Sequence, residues 1–361
     1  MSDLADPVDE ERPRRSKRLV HLLQLLAVAL VIHLFVVPQI GGFTDAVETI
    51  RSVRPEWLVA ALGLYAGSLL VYALLLEILL PDDMRPGFGR LFGVVLASTG
   101  LNHVIPGGAA TTAAVNYRLL AGTGVARSEL GVALTIQGLG SAVVLNVLLW
   151  LALLVAIPTR GLNPLYTTAA ILGVVLFSLF ASAVVGLTRG RVTAIGWGRR
   201  IASRIPGAHP DGVASALETA GDQFVSMRED PRRLAKMVML AAANWLLDAA
   251  ALWVALRAFG VEMGVDGLLV SYGLANVLAA LPITPGGLGV IEAVLIPTLI
   301  GFGGAASGVS VGVVAYRVIA FWLPIPIGSV CYVVIDRSKH DVRDGRTFVE
   351  DLVETNTRRS G

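Results

Sequence analysis

Apolar runs of about 20 residues alternate with short polar segments along this chain. A membrane-spanning helix needs about 20 consecutive apolar residues, so runs of this length predict bilayer crossings. Six runs qualify: Leu19–Val37, Leu58–Leu80, Glu129–Ile157, Leu165–Leu187, Met237–Phe259 and Ser307–Ile335. The pattern therefore predicts an all-α polytopic membrane protein with six full transmembrane helices.

Two further apolar regions are each interrupted by a Pro-Gly-Gly sequence, which predicts a helix break because proline removes a backbone donor and glycine weakens the helix. The arms Leu91–Val104 and Ala109–Ala121 flank Pro106, Gly107 and Gly108, and the arms Leu268–Leu281 and Leu288–Ile300 flank Pro285, Gly286 and Gly287. Each arm has 13 or 14 residues. A helix of this length reaches roughly 20 Å, which is less than the roughly 30 Å hydrocarbon core. We therefore expect two re-entrant helical hairpins, at about 91–121 and 268–300.

The distribution of positive charge predicts the orientation. Of the 29 Lys and Arg residues, 24 fall in segments that this arrangement places in the cytoplasm, and only Arg51, Arg54 and Arg160 fall in the outside loops. Cytoplasmic loops carry the excess of positive charge in membrane proteins. The rule is satisfied only if the first hairpin enters the membrane from the cytoplasm and the second from outside. The two hairpins are then oppositely oriented and form an inverted repeat, which is typical of secondary transporters.

The composition agrees with a membrane protein, since 16% of the residues are charged and the mean hydropathy is +0.70. We expect a cytoplasmic, disordered N-terminal segment over 1–18 and a transmembrane domain over 19–336 with a cytoplasmic loop at 188–236. A cytoplasmic tail follows over 337–361, so both termini of this multi-pass cell-membrane protein face the cytoplasm. The single cysteine, Cys331, excludes a disulfide framework.

No P-loop, HExxH or CxxC sequence occurs in the chain. These motifs carry nucleotide, zinc and redox chemistry. We therefore expect no metal, no cofactor, no ATPase activity of its own and no catalytic residue, and the chain is not predicted to be an enzyme.

Charged residues inside the predicted spans are the main candidates for function, because a charge in the bilayer is costly. Asp248 lies in the middle of its span, and Asn244 shares its helix face because the two are four residues apart. Arg317 lies about ten residues into the last span and needs a carboxylate partner, for which Asp248 and Glu292 are the two candidates. Arg317 either binds an anionic headgroup or forms a structural ion pair that holds the second hairpin, and both readings stay open.

The helix that follows each Pro-Gly-Gly sequence points free N–H groups towards the membrane centre, and two facing helix N-termini suit a phosphate group. The complete set of predicted substrate-binding residues is Asn102, His103, Pro106, Gly107, Gly108, Arg118, Asn244, Asp248, Pro285, Gly286, Gly287, Glu292, Arg317 and Trp322.

Several of these residues belong to an ordered series of short motifs that extends across Leu19–Arg337. The motifs are Pro106-Gly107-Gly108 with Tyr117-Arg118-Leu119-Leu120, Asn244-Trp245-Leu246-Leu247-Asp248, Thr284–Ala293, and Tyr316-Arg317 with Phe321-Trp322-Leu323-Pro324. In this order the chain resembles the flippase-like integral membrane region of lysylphosphatidylglycerol synthases and its stand-alone relatives. Many relatives carry an Arg and an Asp where this chain has Gln137 and Gly140. The family's synthase members also carry a soluble aminoacyl-transfer domain, which we do not expect here.

The resemblance implies a membrane protein that moves lipids between leaflets. The expected function is translocation of an anionic phospholipid or a polyprenyl-linked lipid. Two alternatives are secondary transport of a small water-soluble anion and a non-transporting scaffold for an envelope-lipid enzyme. Expected partners are membrane lipids and a lipid-modifying enzyme or glycosyltransferase; nucleic acid is not expected, and a homo-oligomer is compatible with the sequence.

Overall fold

The computed structural model describes residues 53–82, 85–105, 109–121, 123–160, 230–279 and 284–338, together with single residues between 171 and 203. Within these ranges the regular structure is helical and contains no strand. The predicted N-terminal segment 1–18 and the predicted span Leu19–Val37 lie outside the described residues. So do most of Leu165–Leu187, most of the loop 188–236, the tail beyond 338, and Pro106, Gly107 and Gly108.

Eight helices follow one another within the described ranges. They are α1 (Pro55–Leu79), α2 (Phe88–Val104), α3 (Ala109–Leu120), α4 (Arg127–Arg160), α5 (Pro231–Ala258), α6 (Val265–Ala279), α7 (Val290–Gly301) and α8 (Ala306–Ser338). Four of them, α1, α4, α5 and α8, contain stretches that are long and apolar enough to cross a membrane. These four match predicted spans, and the all-helical class of a multi-span membrane protein is confirmed.

Helix α5 begins at Pro231, six residues before the predicted start at Met237. Asp230 accounts for the difference, because its Oδ1 accepts hydrogen bonds from the backbone N–H groups of Arg232 (3.1 Å) and Arg233 (3.0 Å). An aspartate at this position satisfies donors that have no partner inside the helix, and proline suits the first helical position. Arg233 also donates from Nη2 to the carbonyl of Ile78 at 2.7 Å, which joins this end of α5 to the end of α1.

The two predicted breaks separate α2 from α3 and α6 from α7. Helix α2 ends at Val104, where Ile105 N–H still donates to Leu101 O at 2.8 Å. Helix α6 ends at Ala279, and a short 3-10 turn at Pro285–Gly287 precedes α7. Helix α6 has 15 residues and α7 has 12, so each is too short to span the hydrocarbon core alone.

The core forms where α1 and α5 pack along each other in the most extensive contact among the described helices. Helix α4 packs against α6, α8 against α5, α2 against α3 and α6 against α7. Side chains from all these helices contribute to one continuous apolar core. Exposed apolar side chains, such as Leu154 and Val155 of α4, cover much of the outer surface, as expected of a protein surrounded by lipid.

Glycine allows α2 to cross α8 at very short distance. A Cβ atom added at Gly100 would lie 2.4 Å from the carbonyl oxygen of Pro324, and one added at Gly328 would lie 2.4 Å from that of Leu96. Small residues at helix crossings let membrane helices approach closely. The crossing therefore depends on the absence of a side chain at Gly100 and Gly328.

We expect Gly100→Ala to destabilise the protein by about 1–3 kcal/mol, because overpacking a close contact forces backbone shifts. The measurement is the thermal unfolding temperature of the purified protein in detergent. Gly63→Ala in α1 is the matched control, since its added Cβ meets no atom within 4 Å. Equal unfolding temperatures for the two variants would contradict the close crossing.

Candidate functional site

A cavity of about 350 Å³ lies among the eight helices and the Pro285–Gly287 turn. This volume is within the range of small-molecule binding pockets, about 300–1,000 Å³. Its walls combine apolar side chains with polar ones, namely Tyr65, Asn102, Asn116, Gln137, Asn244, Asp248 and Arg317. Polar side chains inside a membrane are energetically costly, and they are therefore candidates for function. The cavity is therefore the candidate functional site.

Arg317 is held by Glu292, which resolves the choice between the two predicted partners. The guanidinium Nε lies 2.5 Å from Glu292 Oε1, and the side chains are only 7% and 13% exposed. The second carboxylate oxygen, Oε2, accepts a hydrogen bond of 2.7 Å from Gly289 N–H at the start of α7. One carboxylate thus neutralises the arginine and caps a helix whose positive dipole end favours its charge.

The guanidinium of Arg317 keeps unused donor capacity at the cavity wall. Its Nη2 is buried and has no hydrogen-bond partner among the described residues. Its Cζ lies 4.5 Å from the centre of the Phe321 ring, an arrangement that favours a cation. A buried donor without a partner costs roughly 1–3 kcal/mol, and more when it is charged. The site therefore favours an incoming acceptor, above all an anionic one.

Asp248 is bound by two tyrosines and not by a cation. Tyr272 donates its hydroxyl to Oδ2 at 2.6 Å, and Tyr316 donates to Oδ1 at 2.9 Å. No salt bridge reaches Asp248 from the part of the chain that the structure describes. One turn earlier, Asn244 donates from Nδ2 to the carbonyl of Ser68 at 3.0 Å and so joins α5 to α1. The carboxylate is thus positioned by hydrogen bonds and has no direct ion pair among the described residues.

A π turn at Val318–Trp322 interrupts α8 beside the cavity. Leu323 N–H donates to Val318 O at 2.9 Å, and Pro324 has no N–H to offer Ala320 O. The hydroxyl of Tyr65 donates to Ala320 O at 3.0 Å, and His103 Nδ1 lies 3.0 Å from Phe321 O. A carbonyl can only accept, so Nδ1 of this histidine carries a proton and Nε2 of the neutral ring is an acceptor. Helices α1 and α2 thus satisfy carbonyl groups of α8.

The Pro285–Gly287 turn packs directly on this region. Gly286 has φ +54°, and a Cβ there would lie 2.6 Å from His103 Cδ2 and 2.7 Å from Phe321 Cε2. The rings of His103 and Phe321 stack with centroids 4.5 Å apart. Only glycine combines this backbone conformation with so close an approach. The neighbouring Thr284 has a buried Oγ1 without a partner among the described residues, as do Asn102 and Asn116 at their Oδ1 atoms.

The structure brings many of the predicted site residues together. The cavity wall includes Asn102, His103, Asn244, Asp248, Gly286, Gly287 and Arg317. Pro285 begins the turn that lines the cavity, and Glu292 reaches the site through Arg317. Pro106, Gly107 and Gly108 lie outside the described residues.

Two predicted residues lie apart from the cavity. The side chain of Arg118 is 66% exposed, lies 3.7 Å from Asp336 and places Cζ 5.6 Å from the centre of the Tyr332 ring. Trp322 is 45% exposed, with its ring edge-on to Phe321 at a centroid distance of 5.3 Å. Neither residue lines the cavity, so contact of Arg118 or Trp322 with a ligand inside it stays a prediction.

Sequence reasoning omitted the tyrosines. Tyr65, Tyr272 and Tyr316 hold Asp248 and the π turn, yet a tyrosine in an apolar run gives no sign of what its hydroxyl binds. Tyr316 had the strongest signal, since it precedes Arg317 directly. Gln137 donates to the carbonyl of Tyr72 at 3.1 Å, so it occupies the cavity wall as a neutral residue.

Comparison with known proteins agrees with this architecture. The sequence model of the family described as "Lysylphosphatidylglycerol synthase TM region" matches residues 22–328. The chain belongs to this family. The resemblance inferred from the motifs is thereby confirmed, and the protein is a multi-pass membrane protein of the lysylphosphatidylglycerol synthase transmembrane family.

Relatives of the family come from archaea and bacteria. A UPF0104 membrane protein of Methanothermobacter thermautotrophicus is 26% identical over 332 residues, which cover 88% of this chain and 93% of the relative. The inner membrane protein YbhN of Escherichia coli is 28% identical over 110 residues, which cover 30% of this chain and 33% of that protein. Similarity to the first relative extends over nearly the whole of both chains.

The ion pair predicts a strong coupling between Arg317 and Glu292. Arg317→Met leaves a buried carboxylate without its cation, which costs about 3–5 kcal/mol. Adding Glu292→Gln removes that charge and keeps an acceptor for Gly289 N–H, so the double variant recovers much of the loss. Unfolding temperatures of the wild type, both single variants and the double variant in detergent give the coupling. Additive effects would contradict the pairing.

Proposed function

We propose that the protein moves lipids with an anionic headgroup between the two leaflets of the membrane. The guanidinium of Arg317 binds the headgroup in the cavity, and the acyl or prenyl tails stay in the bilayer. The observation that carries the proposal is the buried Nη2 of Arg317, which has no partner among the described residues although it belongs to a cavity wall. Guanidinium groups pair well with phosphate oxygens through charge-assisted hydrogen bonds.

The rest of the cavity wall suits a headgroup that also carries hydroxyl groups. The Oδ1 atoms of Asn102 and Asn116 and the Oγ1 of Thr284 are buried and lack partners within the described ranges. Amide oxygens accept hydrogen bonds, and hydroxyl groups donate them. A cavity of about 350 Å³ accommodates a headgroup but not its hydrocarbon chains. We therefore propose that the hydrocarbon chains stay in the bilayer while the headgroup occupies the cavity.

The proposed movement is a shift of one half of the domain against the other. In this scheme α1–α4 and α5–α8 form an inverted repeat, with the two helix pairs α2–α3 and α6–α7 entering the membrane from opposite sides. Contacts support the repeat, since α1 pairs with α5, α2–α3 contacts match α6–α7, and α3–α4 contacts match α7–α8. In the sequence, Pro106 precedes Ser128 by 22 residues, as Pro285 precedes Ser307. Rocking of such repeats around a central site gives alternating access.

The inverted repeat predicts that the α3–α4 and α5–α6 connections face opposite sides of the membrane. In a Cys331→Ser background, Ala126→Cys and Glu262→Cys introduce single thiols at exposed positions. A membrane-impermeant maleimide should label Glu262→Cys in spheroplasts and Ala126→Cys only in inverted vesicles. The background variant is the unlabelled control, and labelling of both thiols from one side would contradict the repeat.

Lipid translocation is tested in liposomes that contain the purified protein and C6-NBD-phosphatidylglycerol. Dithionite bleaches only the outer leaflet, so bleaching beyond that fraction measures movement. The wild type should translocate the lipid. The paired variant Glu292→Gln/Arg317→Gln, which removes both charges, should be about tenfold slower or more, since a hydrogen bond to a charged group is worth roughly 1.5–3 kcal/mol.

Arg54→Gln is the matched control, because it removes an exposed positive charge from a residue that does not line the cavity. Translocation by the paired variant at the wild-type rate would contradict the assigned site. Uptake of labelled inorganic phosphate without lipid movement would instead identify a transporter of small water-soluble anions.

A further inference from the structure

We propose that Asp248 is a proton-binding site and that one proton accompanies each negative charge that the lipid headgroup brings into the cavity. This inference rests on the proposed function and adds the proton gradient as the energy source for lipid translocation. It is carried by the charge balance of the cavity and by the way two tyrosines hold Asp248.

The charge balance leaves one negative charge without a counter-ion. Arg317 and Glu292 form an ion pair and cancel. Asp248 receives only the hydroxyl hydrogen bonds of Tyr272 and Tyr316 within the described residues. The empty cavity therefore carries a net charge of about −1 when all three groups are ionised.

The other titratable groups around Asp248 do not compensate this charge. Helix α1 contributes the phenols Tyr65 and Tyr72, α2 contributes His103, and α8 contributes Tyr316 and Arg317. Helix α6 contributes Tyr272. The described wall residues from α3 and α4 carry no ionisable side chain. His103 uses its Nδ1 proton for Phe321 O, and in its neutral form the ring adds no charge.

A headgroup with a single negative charge would raise the total from about −1 to about −2. Like charges that share a site of low dielectric disfavour one another's ionised forms. Protonation of Asp248 removes this conflict, because the loaded cavity then carries the same total charge as the empty one. Equal charge in both states lets the site exchange between leaflets, whether empty or loaded, without an added electrostatic cost.

The two tyrosines can follow the change in protonation. In the ionised state both hydroxyls donate to the carboxylate. A proton on Asp248 turns one carboxyl oxygen into a donor, and a phenol hydroxyl can accept as well as donate. Tyr316, which lines the cavity, can then accept from the acid and redirect its own hydroxyl hydrogen to a phosphate oxygen. Release of the proton on the other side reverses the exchange.

Coupling is tested in liposomes that carry the full chain, C6-NBD-phosphatidylglycerol and a pH difference of one unit, with the membrane potential held at zero by potassium and valinomycin. Protons that run down their gradient should carry the lipid to the leaflet on the alkaline side. If one proton moves with each lipid, the labelled lipid should become about tenfold more abundant in the leaflet on the alkaline side, because a tenfold ratio balances one pH unit. The fraction bleached by dithionite measures it.

Asp248→Asn imitates the protonated, neutral acid and should translocate the lipid to an equal distribution despite the pH difference. Asp82→Asn is the matched control, since Asp82 is exposed and pairs with Arg85 outside the cavity; it should keep the asymmetry. Tyr316→Phe, which cannot redirect a hydroxyl, should slow the approach to the asymmetric distribution.

The outcomes separate the two proposals. Lipid movement by the wild type that ends in equal leaflets would overturn the coupling and leave translocation standing, and this result needs no variant. An asymmetric lipid distribution that persists in Asp248→Asn would overturn the assignment to Asp248. If His103→Asn then loses the asymmetry, the proton site is His103. An absence of any lipid movement by the wild type would overturn the proposed function itself.

Discussion

The guanidinium group of Arg317 sits inside an apolar helical bundle, where an unpaired charge would cost more than most folds can offset. Glu292 neutralises it through one carboxylate oxygen and closes the first turn of α7 through the other. Because both contacts come from one side chain, the start of α7 is fixed relative to α8. The position of the Pro285–Gly287 turn, and with it the shape of the cavity wall, depends on this pair.

The break in α8 is satisfied by the opposite half of the domain. Pro324 deprives Ala320 of its usual backbone donor, and lipid offers no replacement. Tyr65 of α1 supplies that hydrogen bond, and His103 of α2 donates to the neighbouring carbonyl of Phe321. Gly286 then packs against His103 and Phe321, so the turn, the π turn and α2 meet at one point. Irregular backbone is thereby confined to the region that lines the cavity.

The sequence predicted the four spanning helices that the structure describes and the ends of the shorter helices, because both are local properties of the chain, set by the length of an apolar run and by proline with glycine. It also predicted that Arg317 needs a carboxylate, but spacing alone could not choose between Asp248 and Glu292. The π turn and the role of Tyr65 could not be predicted from the sequence, since they arise from hydrogen bonds between distant segments. Most motif residues that the structure describes near the site line the cavity, but membership of a motif did not place Trp322 there.

The hydrogen bonds from Tyr65 and His103 to the π turn join residues 255 and 218 positions apart in the chain. Their donors belong to helices that leave the ribosome long before α8 is made. Contacts between such distant segments form late in folding. These two hydrogen bonds at the centre of the domain consequently cannot form until the final helix has been made and has entered the bilayer.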